Sequence, residues 1–104
     1  MTKFSGFDWD LGNWPKCGKH GVSREEIEEI FERTPAVMAD PHPREPRLRA
    51  IGKTRSGRYV FLVFLLRRVR GRTLIRPISA RYMHGKEIAH YDSPSPEEDA
   101  APSE

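Results

Sequence analysis

The side chains of this chain that are best suited to chemistry are basic: 18 lysines and arginines and four histidines occur among 104 residues. Cleavage of RNA without a metal needs a base for the 2′-hydroxyl proton, fixed positive charge beside the phosphate, and an acid for the leaving 5′-oxygen. Arginine supplies the charge, and histidine, or a lysine or tyrosine with a shifted pKa, can serve as acid or base. The composition permits ribonuclease chemistry, although any basic domain carries such residues.

Other kinds of chemistry lack their usual residues. The four histidines show no HExxH spacing, and the carboxylates cluster in one helical segment rather than among the histidines. Neither a glycine-rich phosphate loop nor a GxSxG motif occurs in the chain. We therefore expect no metal site, no cofactor, and neither nucleotide hydrolysis nor acyl transfer.

Charge is distributed unevenly along the chain. The formal net charge is +3, but the last twelve residues carry four acids and no base. Residues 46–86 contain twelve lysines or arginines without one aspartate or glutamate, whereas residues 23–33 hold five glutamates. Uncompensated positive charges repel one another, which favours a polyanionic partner. Nucleic acid is the leading partner class, and an acidic protein is the second.

The length and hydropathy indicate one small domain. The mean hydropathy is −0.70, and the longest apolar run, residues 59–66, is far shorter than the roughly 20 residues that cross a bilayer. The amino terminus shows no secretory signal, and the single cysteine, Cys17, cannot form an intramolecular disulfide. We expect a cytoplasmic protein without membrane contact, with one domain over residues 1–92 and a disordered acidic tail over residues 93–104.

The clearest predicted element is a helix over residues 23–33. Ser23 and Glu26 have the spacing of a capping box, and Val22 can pack on Ile27 as a hydrophobic staple. Apolar residues then recur at helical spacing until a Thr-Pro pair ends the helix.

Beyond this helix, β-branched and aromatic patterns predict strands. The strand over residues 58–66 is apolar on both faces and should be central. In the last strand, Pro77 requires an edge position or a bulge, and Arg76 lies between apolar residues, where a charge is costly unless it is paired. The predicted segments are strands over residues 36–39, 48–54, 58–66 and 72–80, a turn over residues 67–71, and a helix over residues 83–91. The expected fold is a two-layer α+β domain with one or more N-terminal helices, an antiparallel meander of three to four strands, and a C-terminal helix.

Three segments together resemble the BrnT family, the toxin halves of bacterial type II toxin-antitoxin pairs. The segments are WDLGNWPKCGKHGVSREEIEEIF (residues 9–31), IGKTRSGRYVFLVF (residues 51–64) and IRPISARYMHGKEIAHY (residues 75–91). The resemblance implies a RelE-like fold and a metal-independent ribonuclease that arrests translation by cleaving messenger RNA, free or on the ribosome. It also implies neutralisation by a small DNA-binding antitoxin of the BrnA type.

Eleven basic residues are candidates for the site. The candidate catalytic residues are Lys19, His20, Arg76, Arg81 and His84, and the candidate RNA-binding residues are Arg49, Lys53, Arg58, Arg67, Arg68 and Arg70. Each also has a purely structural interpretation: Lys19 and His20 can end a turn, Arg81 can bind a backbone carbonyl, and the arginines of residues 67–70 can form a solvated loop. The alternative function is a non-catalytic module that binds RNA or an acidic protein.

Overall fold

The computed structural model describes residues 4–92, which contain one five-stranded sheet and two helices. The strands are β1 (Gly6–Phe7), β2 (Ala36–Ala39), β3 (Leu48–Lys53), β4 (Tyr59–Val69) and β5 (Arg72–Tyr82), the helices are α1 (Arg24–Glu29) and α2 (Gly85–Asp92), and a 3₁₀ turn spans Lys16–Gly18. The spatial order is β1-β5-β4-β3-β2. Strand β1 runs parallel to β5, and every other neighbouring pair is antiparallel.

The α+β class predicted from the sequence is confirmed, but the predicted layout is wrong at the N-terminus. The first element is a strand rather than a helix, and the sheet has five strands rather than three or four. The predicted meander corresponds to β2 through β5. Strand β1 escapes prediction because two residues are too few to show a period. Backbone hydrogen bonds on both sides of β1 attach it to β5, from Ser5 to Thr73 and from Asp8 to Ile75, both 2.8 Å long.

The core lies between α1 and one face of the sheet, here called the helix face. Along β4, Val60, Leu62 and Phe64 point to this face and are fully buried. Ile27 and Ile30 from α1 complete the same cluster. The alternation of buried and half-buried residues along β4 follows from the two-residue period of a strand. As predicted, β4 is the central strand.

The start of α1 agrees with the sequence pattern, whereas its end does not. The Ser23 hydroxyl accepts a hydrogen bond from the Glu26 amide, and the Glu26 carboxylate accepts one from the Ser23 amide. The helix ends at Glu29, four residues earlier than predicted. Beyond it, the amides of Phe31 and Glu32 bond to carbonyls three residues back, so the last turn has the tighter 3₁₀ geometry.

Strands β4 and β5 form a longer hairpin than predicted. Residues 67–69 were expected in the turn but continue β4, and the turn consists of Arg70 and Gly71 alone, with φ of 52° and 79°. Two residues in the left-handed region suit the twist of a two-residue hairpin. The charged side chains of residues 67–69 are exposed, so they do not prevent the backbone from pairing with β5. For this reason the strand extends into a segment whose charges predicted a turn.

Pro77 produces a β-bulge, one of its two predicted outcomes. Val63 is opposite Ser79 and Phe64 is opposite Pro77, so Ile78 is an extra residue without a partner on β4. Strand β5 is not at an edge, because β1 pairs with its other side. A proline lacks the amide hydrogen that the ladder would need, and a bulge removes that need.

The predicted C-terminal helix is present as α2, beginning two residues later than expected. None of the helices within residues 4–92 has the length and apolar content needed to cross a membrane. The tail predicted over residues 93–104 lies outside the described residues.

Candidate functional site

The bulge in β5 brings two of the predicted catalytic residues to the same side of the sheet. Arg76 is opposite Leu65, and Arg81 is opposite Phe61. Leu65 and Phe61 are four residues apart on β4 and share a face. In a regular strand, residues 76 and 81 would point to opposite faces because they are five positions apart. The extra residue at the bulge corrects this parity.

Four arginines from three strands occupy the sheet face opposite the helix face. We call the set Arg49, Arg67, Arg76 and Arg81 the arginine face. Arg49 on β3 is opposite Val63 of β4, and Arg67 follows Leu65 by two positions on β4. The side chains between them, Phe61, Val63 and Leu65, are half-buried and apolar. The face therefore combines fixed positive charge with a partly exposed apolar floor.

Arg76 is held by two aspartates from the segment after β1. Its Nη1 is 2.9 Å from Asp8 Oδ2, and its Nη2 is 3.1 Å from Asp10 Oδ1. Arg67 Nη1 lies 3.2 Å from the same Asp8 oxygen. The hydrogen bond from Arg76 holds the pKa of Asp10 below its usual value. Parallel pairing of β1 with β5 places these carboxylates beside Arg76. The ion pairs meet the expectation from the sequence that a charge among apolar neighbours needs a partner.

Arg81 makes a two-pronged ion pair with the first turn of α2. Its two terminal nitrogens lie 2.7 and 2.8 Å from the two carboxylate oxygens of Glu87. The Glu87 carboxylate also accepts the His84 backbone amide at 2.8 Å. The hydrogen bond from Arg81 lowers the pKa of Glu87 to about 2. The structural interpretation of Arg81 as the partner of a backbone carbonyl is therefore wrong, because its guanidinium binds the Glu87 carboxylate.

Phe61 lies between two guanidinium groups. The Cζ atoms of Arg81 and Arg49 are 4.7 and 5.6 Å from the centre of its ring. Arg49 is also held by Asp40, with nitrogen-oxygen distances of 2.8 and 3.1 Å. Carboxylates and ring contacts fix both guanidiniums, which limits their conformational freedom before any ligand arrives.

Fewer of the positive charges of residues 46–86 are uncompensated than the sequence predicts. Six of its twelve basic residues pair with carboxylates from other parts of the chain, so the expectation of twelve uncompensated charges is wrong for half of them. Within residues 4–92, the six that form no ion pair are Lys53, Arg58, Arg68, Arg70, Arg72 and Lys86. Three of these are at the hairpin tip, where the charge is freely exposed.

Lys19 and His20 come from a different segment of the chain than the strands of the arginine face. Both are exposed in the turn before α1. The carbonyl of the next residue, Gly21, accepts a hydrogen bond from the Tyr82 hydroxyl at 3.3 Å. Tyr82 is on the helix face, whereas its neighbour Arg81 is on the other. His84 therefore follows Arg81 by three residues in the chain, whereas Lys19 and His20 precede a residue that binds the other face of β5.

A second polar cluster was missed in the sequence. The Tyr82 hydroxyl donates to Glu26, and the Arg58 Cζ lies 3.3 Å from the centre of the Tyr82 ring. The hydrogen bond to Glu26 raises the pKa of Tyr82. Glu26 showed only its capping role in the sequence, and no local pattern connects it with a tyrosine 56 residues away.

A small cavity beside Arg76 adds two further cations that sequence reasoning missed. It has a volume of about 190 Å³, and its polar lining includes Lys16, Arg47 and Glu45 together with Arg76. Lys16 comes from the 3₁₀ turn and Arg47 from the segment before β3. Nothing in the spacing of these residues could have linked them, because three separate elements supply them.

The part of the chain that the structure describes contains no group of three or more histidine, cysteine, aspartate or glutamate side chains that could hold a metal ion. The single cysteine, Cys17, is buried in the core, and burial raises the pKa of its thiol to about 11. A thiol so protonated is a poor nucleophile at neutral pH.

The fold and the site define a small α+β protein with an arginine-rich sheet face whose charges are ordered by carboxylates. Comparison with known families identifies it further: the chain belongs to the BrnT family, described as the ribonuclease toxin, BrnT, of type II toxin-antitoxin systems, whose profile matches residues 9–87. The resemblance seen in the sequence is confirmed. A search of curated proteins finds no match to this chain. Family membership implies an RNA substrate and an antitoxin partner.

Proposed function

We propose that this toxin is a metal-independent endoribonuclease that arrests translation by cleaving messenger RNA, free or on the ribosome, and that the arginine face binds the reacting phosphate. The observation that carries the proposal is the alignment of Arg76 and Arg81 by the bulge, with each guanidinium held by a carboxylate. Fixed donors of this kind stabilise charge that develops in a transition state, because they need not reorganise during the reaction.

Both arginines keep capacity for a phosphate while bound to their carboxylates. A guanidinium has five N–H donors. Arg81 makes two hydrogen bonds to its carboxylate and Arg76 makes three to its two aspartates, which leaves donors on both. The remaining donors can bind the non-bridging oxygens of a phosphate as it gains a fifth oxygen. Lys16 and Arg47, which line the cavity beside Arg76, add charge for the flanking phosphates.

The acid and base of the proposed reaction come from His84, Lys19 and His20. His84 is three residues from Arg81 and exposed at the start of α2, which makes it the candidate nearest to the proposed phosphate site. Attack of the 2′-hydroxyl on phosphorus, with loss of the 5′-oxygen, leaves a 2′,3′-cyclic phosphate and a 5′-hydroxyl. The rest of the RNA is bound in this proposal by the half-buried Arg49 and by five exposed residues: Lys53, Arg58, Arg67, Arg68 and Arg70.

The remaining parts of the proposal concern the setting of the reaction. The toxin acts in the cytoplasm. Its toxin domain comprises residues 1–92 and has a RelE-like fold. A small DNA-binding antitoxin of the BrnA type neutralises it. The toxin-antitoxin family supports a partner of this kind.

Cleavage of a defined messenger RNA in EDTA tests the proposal. We expect the wild type to remain active and to leave cyclic phosphate or 3′-phosphate ends. Arg76→Ala and Arg81→Ala should each reduce the cleavage rate by roughly 10² or more, the scale of one lost preorganised donor. Arg55→Ala is the matched control, since Arg55 pairs with glutamates on α1 and the following turn, away from the arginine face. Loss of wild-type activity in EDTA, or full activity in both arginine variants, would refute the mechanism.

One observation favours the non-catalytic binding module as a second candidate. Neither Lys19 nor His20 is on a strand of the arginine face, and the adjacent Gly21 binds Tyr82, which is on the other face of β5, so His84 is the one predicted acid or base in the same segment as Arg81. A module of this kind would bind RNA with steep salt dependence and cut nothing. Growth arrest on induction of the wild type, lost in Arg76→Ala, distinguishes the ribonuclease from this alternative.

A further inference from the structure

An open apolar groove lies on the helix face beyond the end of α1. Its volume is about 570 Å³. The apolar side chains that line it include Phe4, Phe31, Val37, Leu48, Phe64 and Leu66. Three of them are substantially exposed: Val37 by 47%, Leu66 by 39% and Phe4 by 37%. A cluster of exposed large apolar residues indicates an interaction surface.

Strand β2 forms the wall of this groove and is also an edge of the sheet. Its sequence is Ala-Val-Met-Ala, and within residues 4–92 it pairs with β3 alone. Proteins protect exposed edge strands with charged residues, prolines or bulges. None of the four residues of β2 offers such protection, and Val37 and Met38 are both about half exposed.

The hydrogen-bonding register shows which backbone groups of β2 are available. The Asp40 amide donates to the Arg47 carbonyl at 2.9 Å, which continues the ladder between β2 and β3. In an antiparallel ladder, bonded residues alternate with residues whose amide and carbonyl point away. Counting back by two, Met38 and Ala36 bond to β3. The amides and carbonyls of Val37 and Ala39 therefore point outward, ready to pair with another strand.

Charge around the groove indicates the kind of segment that would pair there. Arg33 lines the groove, and Arg68 is on the same side of β4, two residues beyond Leu66; neither forms an ion pair within the described part of the chain. The nearby Glu32 is neutralised by Arg55. The rim of the groove is therefore positive, and it favours an apolar segment that also carries acidic residues.

We propose that the antitoxin binds here, through an extended segment that adds to β2 as a sixth strand, places apolar side chains in the groove and places acidic side chains beside Arg33 and Arg68. Strand addition gains backbone hydrogen bonds from the edge, and the groove supplies the specificity. The proposal rests on the proposed function in one respect, that the partner is the antitoxin of this toxin. It leaves the arginine face uncovered by the β2 contact itself.

Binding of the purified protein encoded by the reading frame adjacent to that of the toxin tests the proposal. Val37→Glu places a negative charge in the groove and should weaken binding by about 30-fold or more, as expected for a central interface residue. Met38→Glu is the matched control: it makes the same change on the same strand at almost equal exposure, but on the opposite face. We expect this control to change the affinity less than about threefold.

A backbone variant tests strand addition separately. Ala39→Pro removes one outward amide and leaves the bonds of Met38 and Asp40 to β3 intact, so it should weaken antitoxin binding by about tenfold or more while the thermal midpoint stays near that of the wild type. Equal affinity of Val37→Glu and the wild type would overturn the proposal. So would a dimer of the free toxin that Ala39→Pro dissociates, because the edge would then belong to a second copy of this chain.

The binding assay does not depend on cleavage. A wild type that binds the antitoxin through β2 but cuts no RNA would contradict the proposed function alone. A ribonuclease that Arg76→Ala inactivates, and whose Val37→Glu variant is still fully inhibited by the antitoxin, would contradict the present inference alone.

Discussion

The two faces of β4 differ in what they contribute to the molecule. Val60, Leu62 and Phe64 point to the helix face and are completely buried. Their neighbours Phe61, Val63 and Leu65 point to the arginine face and remain half-exposed. Because the side chains of a strand alternate, one continuous segment can supply the core on one side and a binding surface on the other. The comparison predicts that stability and function are separable residue by residue along β4.

Charge distinguishes the two faces as well. The centre of the helix face carries no charge, whereas every guanidinium of the arginine face is bound by a carboxylate: Asp40, Asp8, Asp10 or Glu87. A partly buried charge is costly unless it is paired, so the carboxylates allow arginines to stand on a partly apolar floor. They also reduce the net positive charge of the face. What the face offers a phosphate is ordered donors rather than a large excess of charge.

The largest expected effect comes from a matched pair of phenylalanines. Phe64→Ala removes a ring that is fully buried and packs edge-on against Phe31, and it should lower the free energy of unfolding by about 3–5 kcal/mol. Phe61→Ala, three positions away on the other face, should cost less than half of this because its ring is half-exposed. Urea unfolding of both variants measures the difference.

The same pair should reverse its order in RNA binding. Phe61 separates the guanidiniums of Arg49 and Arg81, so its loss should disorder both and weaken RNA binding, whereas a folded Phe64→Ala protein should bind normally. Equal destabilisation by the two substitutions would break the distinction between the faces.

The next effect concerns the geometry of Arg76 rather than its charge. Arg76→Lys keeps a positive charge but loses the planar fork that binds Asp8 and Asp10 together. We expect it to recover only part of the activity that Arg76→Ala loses, leaving cleavage about tenfold below the wild type. Single-turnover cleavage at saturating enzyme measures it. Full activity of the lysine variant would mean that the arginine face acts through its positive charge alone. The ordered guanidinium donors would then not be what distinguishes it from the helix face.

The sequence carried the local features of this fold but not the contacts between distant segments. Ser23 and Glu26 predicted the start of α1, because a capping box is complete within four residues. Pro77 reduced the possibilities to an edge or a bulge, since a proline cannot donate to the ladder. The strand order decided between them, and it depended on β1, whose two residues show no pattern.

The carboxylate partners were equally out of reach of sequence reasoning. Asp8 and Arg76 are 68 residues apart, and only the parallel pairing of β1 with β5 brings them together. The requirement that Arg76 be paired was predictable from its apolar neighbours, although the identity of its partner was not. For the site, the residue types were therefore predictable, whereas which of them share a face was not. The catalytic and RNA-binding roles of these residues remain predictions.

A smaller effect is expected at the hairpin tip, whose arginines sharpen the contrast between paired and unpaired charge. Arg68, Arg70 and Arg72 are exposed and form no ion pair within residues 4–92. Replacing all three by glutamine should reduce the slope of log affinity for single-stranded RNA against log salt concentration by about 2, since each phosphate contact contributes about 0.7. The cleavage rate at saturating enzyme should change little. Arg55→Gln, whose arginine is already paired with glutamates, should leave the slope unchanged.

The smallest effect tests the carboxylate that orders Arg81. The ion pair lowers the pKa of Glu87 to about 2 in the folded protein, from an ordinary value of 4.5. A group with a lowered folded pKa stabilises the protein above its unfolded pKa, and the contribution is lost as the pH falls from about 4.5 to 2. Glu87→Gln should therefore lower the thermal midpoint modestly at pH 6, and the difference from the wild type should narrow as the pH approaches 2. Melting curves across this range measure it, with Glu25→Gln as a control because Glu25 is exposed on α1 and forms no ion pair within the described residues. A difference that stays constant with pH would show that Glu87 does not anchor Arg81 through its charge, and the ordered donors of the arginine face would need another cause.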